Sequence, residues 1–178
     1  MHLPTSLENE LLLLRPLSLI DYEALWEAAS DPFIWEQHPC NRHEKDEFDA
    51  FFDESFHSKG ALVVFDKSDL RLIGSSRFKT FPEFPSVVEI GWTFLSRPYW
   101  GGWYNRSLKM LMLEYAFGLF DTVVFFVDAG NKRSQRAVEK IGANQVHSFQ
   151  NNALPRPKAN TLLFEIRKTQ WLRAIENE

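Results

Sequence analysis

Residues 87–128 hold the feature that most constrains the fold, a β-prone stretch followed by a glycine turn, an amphipathic segment and an apolar run. The first stretch reads VVEIGWTFL (Val87–Leu95), and the last reads TVVFFV, which is typical of a strand buried on both faces. The segment between them carries large side chains at helical spacing, which predicts a buried stripe on a helix: Leu108, Leu111, Met112, Tyr115 and Leu119. If the two strands are parallel, the helix between them must make a right-handed crossover. This segment therefore predicts a mixed α/β fold.

The rest of the chain adds helices and strands around that unit. A first strand is expected in ELLLLRPL (Glu10–Leu17), and a helix with Ser18 as its N-cap in SLIDYEALWEAAS. A second helix in EKDEFDAFFDESFHSK precedes a hairpin formed by ALVVFD and LIGSSRFKTF. A short helix with Asn131 as its N-cap, a weak strand in NQVHSF and a last strand in TLLFEIRK complete the order. These elements predict a single domain over residues 1–178, with a mixed sheet of about seven strands and flanking helices.

The composition excludes several classes of protein. Of the 178 residues, 44% are hydrophobic and 25% are charged, which is ordinary for a folded domain. The net charge of −4 argues against a broad nucleic-acid surface, because such a surface would be basic. No apolar run reaches the ~20 residues of a membrane-spanning helix, and the first ten residues lack the pattern of a secretory signal. We therefore expect a cytoplasmic protein that binds neither nucleic acid nor a membrane.

Metal binding and covalent catalysis have little support in the sequence. Cys40 is the single cysteine, so it forms no intrachain disulfide, and it lies far along the chain from the glycine turn. The histidines fall at the N-terminus, in loops and at a helix end, without zinc-ligand spacing: His2, His38, His43, His57 and His147. No metal site is predicted.

The glycine turn has two interpretations. In RPYWGGWYNRSLK, Gly101 and Gly102 stand among four large aromatic residues, directly before the predicted helix. Glycines there expose backbone N–H groups that the helix leaves unpaired, at a point where its dipole favours an anion such as phosphate. The alternative is a tight turn that binds nothing. The sequence has neither the G-x-x-x-x-G-K-[ST] of a nucleotide P-loop nor the G-x-G-x-x-G of a dinucleotide fold, so those sites are not expected.

Two segments resemble the GCN5-related N-acetyltransferases. They are VVEIGWTFLSRPYWGGWYNRSLKMLMLEYAF and VVFFVDAGNKRSQRAVEKIGA, and within the family they are most similar to the branch of ribosomal-protein N-terminal acetyltransferases. The second segment contains N-x-x-S-x-x-x-x-x-x-x-G-A, which runs from Asn131 to Ala143. The resemblance implies a single-domain fold with two central parallel strands that splay apart at the cofactor. It also implies acetyl transfer from acetyl-CoA to a primary amine.

The resemblance further implies which residues bind acetyl-CoA. Backbone amides of the glycine turn would hold its pyrophosphate: Gly101, Gly102, Trp103, Tyr104 and Asn105. Pantetheine would pair like an extra strand with the end of the first parallel strand, near Phe94 and Leu95, and Asn131 would reach the cofactor's other side. The turn departs from the family pattern, because Pro98 takes its first position and Trp103 its last, where a small residue is usual. We expect the Trp103 ring to pack against the domain.

Two side chains are candidates for the chemistry. Acetyl transfer requires a neutral amine, donors for the tetrahedral oxyanion and a proton for the departing thiolate. By the resemblance, Glu89 is the general base and Ser134 the acid near the thiolate, and the amide of Phe94 or Leu95 donates to the oxyanion. The alternatives are an outward-facing strand residue for Glu89 and a residue that helps the helix to start for Ser134.

The acceptor pocket is expected between the first two helices and the last hairpin, with Trp26 and Trp35 among its lining residues. The acidic run from Glu44 to Glu54 is better explained as a solvated helix face than as a site for a cationic amine. A small-molecule or peptide amine is the expected acceptor, and the chain is expected to be a monomer or homodimer. The alternative function is a non-catalytic CoA-binding or regulatory domain of the same fold, which would acetylate no amine.

Overall fold

An eight-stranded mixed sheet with five α-helices forms the fold in a computed structural model, which describes residues 3–148 and 153–175. The strands are β1 (Leu7–Glu8), β2 (Leu12–Pro16), β3 (Ala61–Asp66), β4 (Leu72–Thr80), β5 (Val87–Leu95), β6 (Thr122–Asp128), β7 (Asn144–Gln145) and β8 (Thr161–Arg167). The helices are α1 (Tyr22–Ala29), α2 (Lys45–His57), α3 (Tyr104–Phe117), α4 (Lys132–Glu139) and α5 (Lys168–Ile175). Short 3₁₀ turns occur at Leu19–Asp21, Pro32–Ile34 and Arg97–Tyr99. His2, Phe149 and residues 150–152 of the loop before β8 lie outside the described residues.

The strands lie in the order β1-β2-β3-β4-β5-β6-β8-β7, and among these described strands only β5 and β6 pair in parallel. Helix α3 makes the crossover between them, so the predicted mixed α/β fold is confirmed. The prediction omitted β1, which is too short to show a periodic pattern, and α5, which follows β8 directly.

The parallel pair opens beyond Glu89. Strands β5 and β6 are in register only from Val87, opposite Thr122, to Glu89, opposite Val124, although both strands continue further. On its other side, β5 shifts register against β4, and Trp92 in this irregular stretch has a φ of +52°. We call the gap between the diverging ends of β5 and β6 the splay.

The sheet buries a different set of side chains on each face. Helix α3 covers one face, where Leu108 and Met112 pack with Val88 and Ile90 of β5 in the main hydrophobic cluster. Helices α1 and α2 cover the other face with an aromatic cluster that includes Phe48, Phe51, Phe52, Trp35 and Phe94. The prediction that Leu119 joins the buried stripe is wrong: α3 ends at Phe117, and Leu119 is 56% exposed in the turn that follows.

Among the described helices, none combines the length and the apolar character that crossing a membrane requires.

Candidate active site

The glycine turn presents a row of unpaired backbone donors. No described residue accepts a hydrogen bond from the backbone N–H groups of residues 101–105, and no side chain caps the start of α3. Gly101 has a φ of +74°, which favours glycine for conformational reasons. Gly102 has no such requirement, and a Cβ added there would meet no described atom within 4 Å. The space above Gly102 is therefore open, as the approach of an anionic ligand to these donors requires.

The two aromatic side chains that follow the glycines, Trp103 and Tyr104, have different environments. Trp103 is 73% exposed, so the expectation that its ring packs against the domain is wrong. It lies at the N-cap of α3, and the preceding Gly101 and Gly102 offer no side chain to cover it. The Tyr104 hydroxyl donates to Asp66 Oδ2 at 3.0 Å, which fixes the start of α3 to β3. Because the hydroxyl of Tyr104 is already bonded to Asp66, its backbone N–H is the group that remains available to a ligand at this turn.

A surface depression of about 240 Å³ lies beside this turn, and its charges are already paired. Arg97 Nε donates to Asp31 Oδ2 at 2.7 Å, and Arg71 donates to Glu27 at 2.8 Å. Because these charges neutralise one another, we assign no ligand to the depression.

The hydrogen-bond ladder between β4 and β5 directs one amide into the splay. Ser96 N–H donates to Ile73 O at 2.7 Å, and antiparallel ladders alternate between hydrogen-bonded and non-bonded pairs. The next bonded pair is therefore Phe94 with Ser75, whereas the N–H of Leu95 points away from β4. Of the two amides considered for the oxyanion, the geometry favours that of Leu95.

Glu89 lies buried where the splay begins. It stands opposite Lys79 of β4 and Val124 of β6, and it is 6% exposed, which excludes the outward-facing alternative. Burial raises the pKa of its carboxyl to about 7, although the charges of Lys79 and Arg77 oppose this rise. Its Oε1 leans over Gly91, where an added Cβ would lie only 2.9 Å away. A carboxyl group with this pKa is suited to proton transfer near neutral pH.

The start of α4 forms the other wall of the splay. Asn131 is buried, and its Oδ1 accepts from Ser134 N–H at 3.0 Å, which confirms it as the N-cap. The Ser134 hydroxyl makes no hydrogen bond with any described residue, so it can still donate to a ligand. Arg133 donates to Ile34 O at 2.5 Å and stacks over the Trp100 ring at 4.0 Å. These contacts fix α4 against the loop after α1.

The two tryptophans predicted to line the acceptor pocket have separate environments. Trp35 is 2% exposed, donates through Nε1 to Ala29 O at 2.8 Å, and packs 5.2 Å from the Phe94 ring. Trp26 packs 5.0 Å from Phe48, between α1 and α2. Contact of either ring with an acceptor stays a prediction.

The burial of three cationic side chains was not predicted from the sequence. Lys109, Arg42 and Arg77 are 5%, 7% and 3% exposed, respectively. For Lys109 the sequence did contain a feature, since it precedes Met112, Leu113 and Ala116 at helical spacing on a buried face. No comparable feature marks the arginines: Arg77 lies in a strand, whose sequence does not say which face a helix covers, and Arg42 lies in a loop without a periodic pattern.

Lys109 is buried on the α3 face of the sheet, near Thr93 of β5. Its Nζ donates to Thr93 Oγ1 at 2.5 Å and lies 5.6 Å from the centre of the Phe125 ring. Burial lowers the pKa of this amine to about 7, and no described carboxylate forms an ion pair with it.

Replacing Lys109 with methionine is expected to stabilise the fold at neutral and acidic pH. The unfolded lysine keeps its ordinary pKa of 10.5, so the folded state binds fewer protons between pH 7 and pH 10.5. The wild type therefore becomes more stable as the pH rises through that window, and below it the ammonium is buried at full cost. We expect Lys109→Met to raise the unfolding free energy at pH 6 by about 2–4 kcal/mol, with the gain shrinking toward pH 10.

Denaturant unfolding at pH 6, 8 and 10 measures this difference, with the exposed Lys140→Met as the matched control. A loss of stability in Lys109→Met at pH 6 would mean that the buried ammonium has a favourable partner.

No group of three or more histidine, cysteine, aspartate or glutamate side chains in the described ranges is placed to hold a metal ion. His38 is half-buried in the loop after α1. Its burial and the neighbouring Arg42 lower the pKa of the imidazole to about 4, so it is neutral at pH 7.

The fold is shared with many solved structures. A GNAT-family structure from Chromobacterium violaceum superimposes with a TM-score of 0.80 at 21% identity, covering 96% of this chain and 90% of that one. A GCN5-related N-acetyltransferase from Brucella melitensis gives 0.78 at 18% identity, covering 94% and 80%. A spermidine N-acetyltransferase from Vibrio cholerae, solved with CoA and spermine, gives 0.68 at 18% identity, covering 92% and 99%.

Comparisons of sequence identify the family. A stretch of 59 residues is 39% identical to the uncharacterised protein YkkB of Bacillus subtilis (strain 168), and it covers 32% of this chain and 34% of that relative. The match thus spans only a third of the relative's length. The acetyltransferase (GNAT) domain family matches residues 12–144, which is well over half of this chain. On that match, and with a fold common to solved members, the chain belongs to the GNAT acetyltransferase family.

Proposed function

We propose that this chain is an N-acetyltransferase that moves an acetyl group from acetyl-CoA directly to a primary amine. The observation that carries the proposal is the splay itself. It begins at a buried carboxyl group, Glu89, and leads to a turn of unpaired amides at the start of α3. Family membership supports the same chemistry, and one structural neighbour was solved with CoA. The proposed acceptor is a small-molecule or peptide amine.

The residues of the splay divide the chemistry between them. The Glu89 carboxylate takes a proton from the acceptor, directly or through a water, so that the amine attacks as a neutral nucleophile. A C–N bond forms at the thioester carbonyl, and the Leu95 N–H donates to the oxygen that gains the negative charge. The C–S bond then breaks, and the Ser134 hydroxyl donates a proton to the departing thiolate and is reprotonated from water. The nitrogen of the new amide loses its second proton to solvent. No step requires an acyl-enzyme, because the amine attacks the thioester itself.

The turn supplies binding rather than chemistry. The unpaired N–H groups of residues 101–105 and the dipole of α3 favour the doubly charged pyrophosphate of the donor. The Asn131 side chain, whose Nδ2 has no described partner, would hold the donor from the α4 side.

Calorimetric titration with acetyl-CoA and with CoA is the first test, followed by a screen of primary amines for CoA release. We expect one molecule of either ligand to bind per chain, and turnover with at least one class of amine. Absence of binding by both would contradict the proposal at the turn. Binding without turnover of any amine would instead support the non-catalytic alternative.

A further inference from the structure

Two buried arginines lie on the same face of the sheet as Glu89, and no described carboxylate fully pairs either of them. Arg77 projects from β4 opposite Gly91 of β5. Arg42 lies in the loop before α2 and contacts Phe51, whereas Arg77 donates to Glu54, three residues further along the same helix, so both guanidinium groups lie against one turn of α2. Arg77 has one carboxylate partner, Glu54, but keeps a buried donor without any partner, and Arg42 has no ion pair with a described residue. Buried donors without a partner are costly, so this pair suggests that a ligand supplies a further anion.

Arg77 is only partly satisfied. Its Nη2 donates to Glu54 at 2.8 Å, but Glu54 is itself 64% exposed, at the surface end of the contact. Its Nη1 is buried and has no hydrogen-bond partner among the described residues. The guanidinium stacks over the Trp92 ring, with its carbon 3.5 Å from the ring centre. This cation–π contact holds the group in place but accepts no hydrogen bond from Nη1.

Arg42 makes no hydrogen bond or ion pair with any described residue. It is held between two rings, 4.2 Å from the centre of Phe51 and 5.3 Å from that of Trp35. Cation–π contacts of this kind position a guanidinium but do not accept its N–H donors. Its five donors are therefore available to an acceptor from outside the described chain.

The pair lies beside the proposed base. The Glu89 Oε1 leans over Gly91, and Gly91 stands directly opposite Arg77 in the ladder. No ion pair joins Glu89 to Arg77, although the charge of Arg77 reaches the carboxyl. A proton acceptor, Glu89, and a cation with an unpaired donor, Arg77, thus lie on the same face of the sheet, on either side of Gly91.

We propose that the acceptor is an amine that carries a carboxylate near its reacting nitrogen, as an amino acid does, and that Arg42 and Arg77 bind this carboxylate. This inference rests on the proposed acetyl transfer and assigns its substrate class. A bidentate or shared carboxylate satisfies the free guanidinium donors and places the amine toward Glu89. Binding the carboxylate also orients the amine for attack, since both groups belong to one small molecule.

The same arrangement disfavours polyamines. The neighbour from Vibrio cholerae is a spermidine N-acetyltransferase solved in complex with CoA and spermine, and polyamines of this kind carry no negative charge. In this chain a polycation would meet two buried guanidinium groups beside Glu89, and like charges in a buried site repel strongly. A carboxylated amine meets complementary charges at both ends.

Matched pairs of acceptors test the proposal: phenylalanine with 2-phenylethylamine, tryptophan with tryptamine, and lysine with cadaverine. We expect the wild type to prefer at least one carboxylated member over its partner by about a hundredfold or more in kcat/KM. In Arg42→Met and Arg77→Met that ratio should fall toward one, because the advantage of the carboxylated member is lost. Arg42→Lys, which keeps the charge but not the planar fork, should retain part of the ratio.

Two controls separate a failed substrate class from a failed fold or function. Arg167→Met, at an exposed position on β8, should leave the ratio unchanged, and all variants should keep the wild-type affinity for CoA. Binding of N-acetylphenylalanine and of N-acetyl-2-phenylethylamine, measured by calorimetry, needs no turnover. The first should bind to the wild type and not to Arg42→Met, and the second should bind weakly to both.

The outcomes are distinct. Acetylation of the decarboxylated amines or of spermidine as efficiently as of the amino acids overturns the carboxylate site and leaves acetyl transfer standing. Failure to acetylate any amine overturns the proposed function, and the acetylated ligands then decide the carboxylate site by themselves. If N-acetylphenylalanine binds to Arg42→Met as tightly as to the wild type, the carboxylate site is overturned, and water must accept the hydrogen bonds of the free guanidinium donors.

Discussion

Glu89→Gln is expected to lose nearly all acetyl-transfer activity while the folded protein becomes more stable. Loss of a general base lowers kcat by about 10²–10⁴-fold, and glutamine keeps the shape of the side chain but cannot take the proton. In the wild type, kcat/KM should rise with pH through an inflection near 7, where burial has raised the pKa of the carboxyl. That inflection should be absent from the residual rate of the variant.

The gain in stability follows from the same pKa. The unfolded carboxyl has its ordinary pKa of 4.5 and the folded one about 7, so the folded state binds the proton more tightly between these values. Folding stability is therefore lost as the pH rises from 4.5 to 7, and above 7 the buried carboxylate carries its full cost. Removing it should stabilise the fold at pH 8 by an amount on the order of 3 kcal/mol, and by almost nothing at pH 4.

Steady-state kinetics and denaturant unfolding across pH 4 to 9 measure both effects in one variant. Glu83→Gln, at an exposed position in the loop before β5, is the matched control and should change neither. Because unfolding cannot explain a loss of activity in a more stable protein, full activity in Glu89→Gln would place the base elsewhere.

Gly102→Val is expected to weaken acetyl-CoA binding by at least about tenfold, which is about 1.4 kcal/mol, without destabilising the fold. The valine side chain enters space that no described atom occupies, and Gly102 needs no positive φ. The substitution therefore tests whether a ligand uses that space. Gly102→Ala adds a single methyl group and should give a smaller loss of affinity.

Gly101→Val provides the contrast, because Gly101 has a φ of +74°. A β-branched residue in the left-handed region costs about 1–2 kcal/mol, so this variant should unfold at a lower temperature, whereas Gly102→Val should not. Calorimetry with acetyl-CoA and thermal unfolding separate the two. Unchanged affinity in Gly102→Val would mean that the glycines only shape the turn.

Local pattern was enough to predict the elements that build the splay. Most residues of β5 are β-branched or aromatic, α3 has an apolar face, and β6 contains a continuous apolar run. Each of these properties depends on neighbours within a few residues, so it can be predicted from the sequence alone. The glycine turn and the Asn131 N-cap are local in the same sense, and the structure places both where the sequence predicted.

The sequence by itself determined the crossover, its glycine turn and the position of Glu89 in a strand, because backbone preferences and periodicity are local properties. Only the tertiary structure decided which side chains became buried. In the sequence, Arg77 is an ordinary charged strand residue, and it is buried only because α2 covers that face of the sheet. Trp103 has the composition of a core residue, but the turn leaves its ring exposed. The physical reason is that burial, and with it the pKa of Glu89 and the unpaired donors of the arginines, arises from elements distant in sequence packing together.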